Sequence, residues 1–70
     1  MKNILITGSS GFLGNNISIN LSKKNNIFTF DRKIQKKKVK NIKSYLYPKN
    51  INDYVAFFKK NKIDIIIHNA

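Results

Sequence analysis

The chain has 70 residues, enough for one small domain, and a domain of that size buries only roughly 60% of its unfolded surface. It has no cysteine and a single histidine, His68, which excludes disulfides, thiolate metal sites and a histidine-cluster metal centre. Net charge is +11, from 14 Lys+Arg against 3 Asp+Glu, but all the basic residues except Arg32 are lysines in a chain crowded with Asn and Ile, which reads as a compositional lean.

The densest basic run, Lys33 to Lys40, carries no interleaved aromatic on which a base would stack, so nucleic acid is disfavoured as a partner. No apolar stretch approaches the ~20 residues of a membrane span. The N-terminal apolar run is too short and wrongly flanked for a signal peptide, so a soluble cytoplasmic protein is expected, with no membrane partner.

Lys2 to Thr7 is an apolar, β-branched run with little alternation, as in a parallel strand covered on both faces. It stops at Gly8. A helix is predicted from Gly11 to about Lys24, with Leu13, Ile17 and Leu21 as its sheet-facing stripe and Gly14 at the stripe's edge. Asn15, Asn16, Ser18, Ser22 and Lys23 fall on the other side. Asn25 or Asn26 supplies a left-handed stop. Ile27 to Asp31 is a second strand, completing a βαβ unit.

Arg32 to Asn41 reads as a solvated loop or frayed helix. Ile42 to Tyr47 is a third strand closed by Pro48, with Tyr45 and Tyr47 on one face. A second helix starts at Asn50, its N-cap, with Asp53 in the first turn and a stripe of Ile51, Tyr54, Val55 and Phe58, with Phe57 beside it. Ile63 to His68 is a fourth strand, the most apolar segment of the chain. The elements imply an α/β fold across residues 1–70: a partial, doubly wound parallel sheet of order 3-2-1-4 with two or three helices. The fourth strand then lies at a sheet edge, where an exposed apolar run is an aggregation hazard.

Between the first strand and the first helix stand Gly8, Gly11 and Gly14, spaced by three. Strand, glycine turn and helix start together build a phosphate site, because the turn admits a ligand to backbone N–H groups and the helix points its positive end at an anion. Gly8 is expected to make the turn, Gly11 to let a pyrophosphate approach without meeting a Cβ, and Gly14 to let the helix pack closely. Asp31, at the end of the next strand, is placed to accept hydrogen bonds from an adenosine ribose. A carboxylate there repels a 2′-phosphate and favours NAD over NADP, and Arg32 beside it tempers that preference.

Thr7-Gly8-Ser9-Ser10-Gly11-Phe12-Leu13-Gly14 resembles the T-G-x-x-G-x-x-G signature of the extended short-chain dehydrogenase/reductases, the NAD-dependent epimerases and dehydratases, many of which act on nucleotide sugars. Asp31 matches the family's acid after the second strand. Ile65 to Ala70 is similar to its fourth strand, which runs into a His-x-Ala-Ala motif. The resemblance implies a Rossmann-like fold that binds NAD through Gly8, Ser10, Gly11, Phe12, Leu13, Gly14, Asp31 and Arg32, with His68 and Ala70 at the fourth strand's end. It also carries adenine contact to Asn50 and Ile51, although Asn50 stands where the family usually has an Asp. Asn25 stands where the family usually has a Gly.

The family's catalytic Tyr-x-x-x-Lys pair lies on a helix well beyond the fourth strand. Tyr45 and Lys49 have that spacing, but Pro48 forbids the helix that would align them. The expectation is therefore the N-terminal, cofactor-binding portion of a nucleotide-sugar epimerase, dehydratase or reductase, with no catalytic residue and no substrate domain in this chain. Two alternatives stay open: a free-standing NAD-binding module, and a small basic nucleic-acid-binding protein on a Rossmann-like scaffold.

Overall fold

The computed structural model describes residues 1–9, 11–34 and 38–69, and of Phe12 the backbone alone. The chain runs β1 (Asn3–Thr7), α1 (Phe12–Ser22), β2 (Asn26–Asp31), β3 (Ile42–Leu46), α2 (Ile51–Lys60) and β4 (Ile65–His68). All strand pairs are parallel and the sheet order is β3-β2-β1-β4. The predicted α/β architecture and strand order are both present. Strand ends differ from expectation by one or two residues: β2 starts one residue earlier, at Asn26, and β1, β3 and β4 are shorter than expected.

β1 sits at the centre because it alone carries three consecutive apolar side chains that are all buried: Ile4, Leu5 and Ile6. Their alternation feeds two cores. Ile4 and Ile6 join Ile27 on one face, where Ile17 and Leu21 of α1 pack with Ile42 and Ile67. Leu5 joins Phe28 and Phe30 on the other, where Tyr54 and Phe57 of α2 pack with Tyr45 and Ile63. The helices therefore cover opposite faces, as a doubly wound sheet requires. On the α2 face the rings interlock: Phe57 lies 4.7 Å from Phe30, 5.4 Å from Tyr45 and 5.9 Å from Phe28 between centroids. Such edge and tilted pairs add about 0.5–1.5 kcal/mol each beyond the area they bury.

The helix faces depart from expectation. In α1, Leu13 is 61% exposed, while Gly14, Ser18 and Ser22 are buried. The inward face is centred on Gly14, Ser18 and Leu21, and Leu13 lies roughly a third of a turn away. Small residues let the helix come close. The serines tolerate burial because each hydroxyl donates to its own helix, Ser18 to the Gly14 carbonyl at 2.8 Å and Ser22 to that of Ile19 at 2.7 Å. In α2, Tyr54 and Phe57 make the contact, whereas Ile51, Val55 and Phe58 are exposed. At 3.6 residues per turn these three lie roughly 70–130° round the axis from the ring pair.

The left-handed stop after α1 is also absent. Lys23 caps the helix in right-handed geometry, and neither Asn25 nor Asn26 has positive φ; Asn41, before β3, does (φ 67°). Side chains close the helix end instead: Asn25 Nδ2 donates to the Leu21 carbonyl at 3.1 Å and Asn41 Nδ2 to that of Ser22 at 3.1 Å. At the same end of the sheet Asn3 fixes β4 against β1. Its N–H donates to the Asp64 carboxylate and its side-chain amide to the Lys62 carbonyl, both at 2.8 Å.

Candidate functional site

The parallel sheet brings four strand ends to one edge in the order His68, Thr7, Asp31, Leu46, spaced about 5 Å apart. The glycine turn rises from the second of these. Gly8 has φ 71°, a conformation that a Cβ would strain, and its N–H donates to the Phe30 carbonyl at 3.2 Å. The turn is thereby tied to β2 as well as to β1. Gly11 follows as the N-cap of α1, with no side-chain cap on the first turn. Its carbonyl accepts the first helical bond, from the Asn15 N–H at 2.9 Å.

The other two glycines differ in what surrounds them. A Cβ at Gly11 would meet nothing within 4 Å among the described residues beyond its chain neighbours. A Cβ at Gly14 would lie 2.5 Å from the Gly8 carbonyl oxygen, 2.6 Å from Asn69 Nδ2 and 3.0 Å from Ser9 Cα. Gly14 is thus where the helix meets the turn, and Gly11 is where the turn faces open space. This is a cradle with room at the helix's positive end, the geometry that accepts an anion.

Asp31 stands one strand away. Only 6% of it is exposed. Its Oδ2 accepts from Ser9 Oγ at 3.2 Å and its Oδ1 from the Arg32 N–H at 2.8 Å. The Arg32 side chain is exposed beside it. On the other flank, Thr7 Oγ1 and His68 Nδ1 are 2.6 Å apart, and the Asn69 N–H donates to the Thr7 carbonyl at 3.1 Å. The Asn69 amide also reaches the Gly8 carbonyl at 3.5 Å.

The structure therefore brings Gly8, Gly11, Gly14, Asp31, Arg32 and His68 to one edge. Leu13 is at the site's margin, exposed in the first turn of α1. Asn50 and Ile51 lie past the end of β3, two strands from the turn. There Asn50 is engaged as a cap, its Oδ1 accepting from the Asp53 N–H at 3.0 Å, and Ile51 is 73% exposed. Ser10 and Ala70 lie outside the described residues, and of Phe12 only the backbone is described. Tyr45 is in β3 with its ring in the aromatic core, so it forms no helical pair with Lys49.

Two participants were missed by sequence reasoning, Ser9 and Asn69. Ser9 occupies a variable position of the signature, and only the pairing of β1 with β2 reveals that it faces Asp31. Asn69 becomes meaningful once β4 is known to lie beside β1.

A model of the NAD dependent epimerase/dehydratase family matches residues 4–70, nearly the whole chain. No curated protein matches it. Among the described residues, no helix is long and apolar enough to cross a membrane.

Proposed function

The chain belongs to the NAD dependent epimerase/dehydratase family, whose members bind a nicotinamide dinucleotide, and on that premise we propose that it binds NAD in preference to NADP at the edge formed by Gly8, Gly11, Asp31 and His68. The observation that carries the reading is the open space before Gly11, at the start of α1, with a buried carboxylate one strand away. The open cradle supports a pyrophosphate over the turn. The position of Asp31 supports an adenosine ribose over β2, with its hydroxyls donating to the carboxylate and a 2′-phosphate repelled by it. The adenine then points toward the end of β3, near Asn50 and Ile51, and the nicotinamide toward β4. When bound, the cofactor supplies hydride acceptance. The chain's own residues hold and orient it.

In this reading the chain is the cofactor-binding portion of an enzyme acting on a nucleotide sugar, in the cytoplasm. Calorimetric titration of the chain with NAD and with NADP tests it. Saturable binding with NAD the tighter ligand is expected, and Gly11→Ala is expected to weaken it at least tenfold by placing a methyl group in the cradle. A folded chain that binds neither dinucleotide would refute it.

A further inference from the structure

Ser9 is the second residue of the glycine turn, and only 1% of it is exposed. Its Oγ holds one oxygen of Asp31 while the Arg32 N–H holds the other. These are not the only contacts of Ser9 or Asp31. A carboxylate bound through both oxygens from two separate segments cannot rotate without breaking one of those bonds, and hydrogen bonds to an ionised group are the stronger kind. The backbone bond from Gly8 to Phe30 ties the same two segments. The phosphate turn and the carboxylate thus form one unit.

We propose that Ser9 is a positioning residue for cofactor selectivity: it holds the Asp31 carboxylate at the ribose, and so makes the chain discriminate a free 2′-hydroxyl from a 2′-phosphate. The inference rests on the dinucleotide reading above. Its force comes from charge. With a net charge of +11, the chain's overall field favours the more anionic ligand, which is the 2′-phosphorylated one. Arg32, exposed next to Asp31, is a ready partner for that phosphate. Selectivity for NAD then depends on a negative charge that stays in place. A carboxylate free to swing aside would leave the phosphate to Arg32, and the repulsive element that sets the preference would be lost.

The test is titration of NAD and NADP, at one ionic strength, into the unaltered chain, Ser9→Ala, Ser9→Cys, Asp31→Asn and the Ser9→Ala/Asp31→Asn double variant. Circular dichroism on each checks folding. Ser9→Ala is expected to weaken NAD about tenfold, a typical charged hydrogen bond, while NADP binding holds or tightens. The NAD:NADP affinity ratio then falls by about tenfold or more. Ser9→Cys keeps the side chain's shape with a weak donor, gives an intermediate ratio, and carries the measurement if Ser9→Ala does not fold. In the Asp31→Asn background the Ser9→Ala effect largely vanishes, because the charge it positions is gone. Equal losses for both dinucleotides, or full additivity with Asp31→Asn, would mean that Ser9 only braces the turn, and would overturn the proposal while leaving the binding site standing. Binding of neither dinucleotide by the unaltered folded chain would overturn both.

Discussion

Gly11 and Gly14 are three residues apart and chemically identical, yet replacing each with alanine separates binding from folding. At Gly14 the new methyl group would sit 2.5 Å from the Gly8 carbonyl oxygen and 3.0 Å from Ser9 Cα, both backbone atoms, and 2.6 Å from Asn69 Nδ2. The asparagine can swing away, at the loss of its contact with Gly8. The backbone atoms can move only by opening the turn. Overpacking of this kind costs about 1–3 kcal/mol and sometimes more, against a helix-propensity gain of about 1 kcal/mol for alanine over glycine. Because two of the three clashes are with backbone, a net loss of about 2 kcal/mol is expected. For a domain of this size that lowers Tm by roughly 8–16 °C. At Gly11 the methyl group meets open space and φ is −70°, which alanine adopts freely. A weaker N-cap and a smaller unfolded-state entropy oppose each other at about 1 kcal/mol or less, so Tm should move by only a few degrees. Thermal unfolding by circular dichroism with parallel NAD titration reads both effects. Gly14→Ala should be the less stable of the two, and Gly11→Ala should be stable but at least tenfold weaker for NAD. A Gly14→Ala chain as stable as its parent would refute the close approach of α1 to the turn.

Thr29 is 2% exposed and its hydroxyl has no hydrogen-bond partner among the described residues, so Thr29→Val, nearly isosteric, should stabilise the chain by about 1 kcal/mol and raise Tm by roughly 4–8 °C; an unchanged or lower Tm would contradict it. Asp31→Asn should weaken NAD and narrow or invert the preference over NADP, as read by the same titrations; an unaltered ratio would remove the carboxylate from cofactor choice. Asn50→Ala should cost about 1 kcal/mol through loss of the α2 cap, whereas Asn50→Asp keeps the cap and should be near neutral in thermal unfolding. Ile65 and Ile66 are 40% and 57% exposed on the edge strand β4, so Ile66→Lys should shift light-scattering profiles toward monomer at high concentration. A parent chain already monodisperse there would show that the edge is harmless.

The sheet was legible because its signals are local. Ile4 to Ile6 is an apolar run and Ile27 to Phe30 a β-branched and aromatic one, and βαβ chirality with short connections leaves few orders to choose from. The glycine spacing carried the turn in the same way. What stayed hidden was set by approach distance. Ile17 and Leu21 of the α1 stripe pack on the core as expected, but Leu13 is left exposed and the helix turns Gly14 and Ser18 inward, because its close approach there admits only small side chains. The serines hide their polarity in intrahelical bonds that composition cannot reveal. In α2 the interlocking of Phe57 with Phe28, Phe30 and Tyr45 outweighs the longer apolar stripe. The bond between Ser9 and Asp31 was hidden for a different reason: it joins residues 22 apart in sequence that meet only once β1 and β2 are in register.

The same register assigns a polarity to the proposed site. With the pyrophosphate over the β1 turn and the ribose at Asp31, the adenosine half runs toward β3. The nicotinamide half must then run the other way, over β4, where Thr7 and His68 meet and Asn69 reaches back to Gly8. Tyr45 and Lys49, the one pair with the spacing of the family's catalytic residues, lie on the adenosine side. Tyr45 packs its ring between Phe28 and Phe57 there. A group that exchanges a proton as hydride moves must stand beside the nicotinamide. Strand order alone therefore removes Tyr45 from that role, independently of the proline that breaks its helix. It also directs a search for substrate-contacting groups to the β4 side of the edge: His68→Ala, on that side, should change dinucleotide affinity, and Tyr45→Phe, in β3, should leave it unchanged.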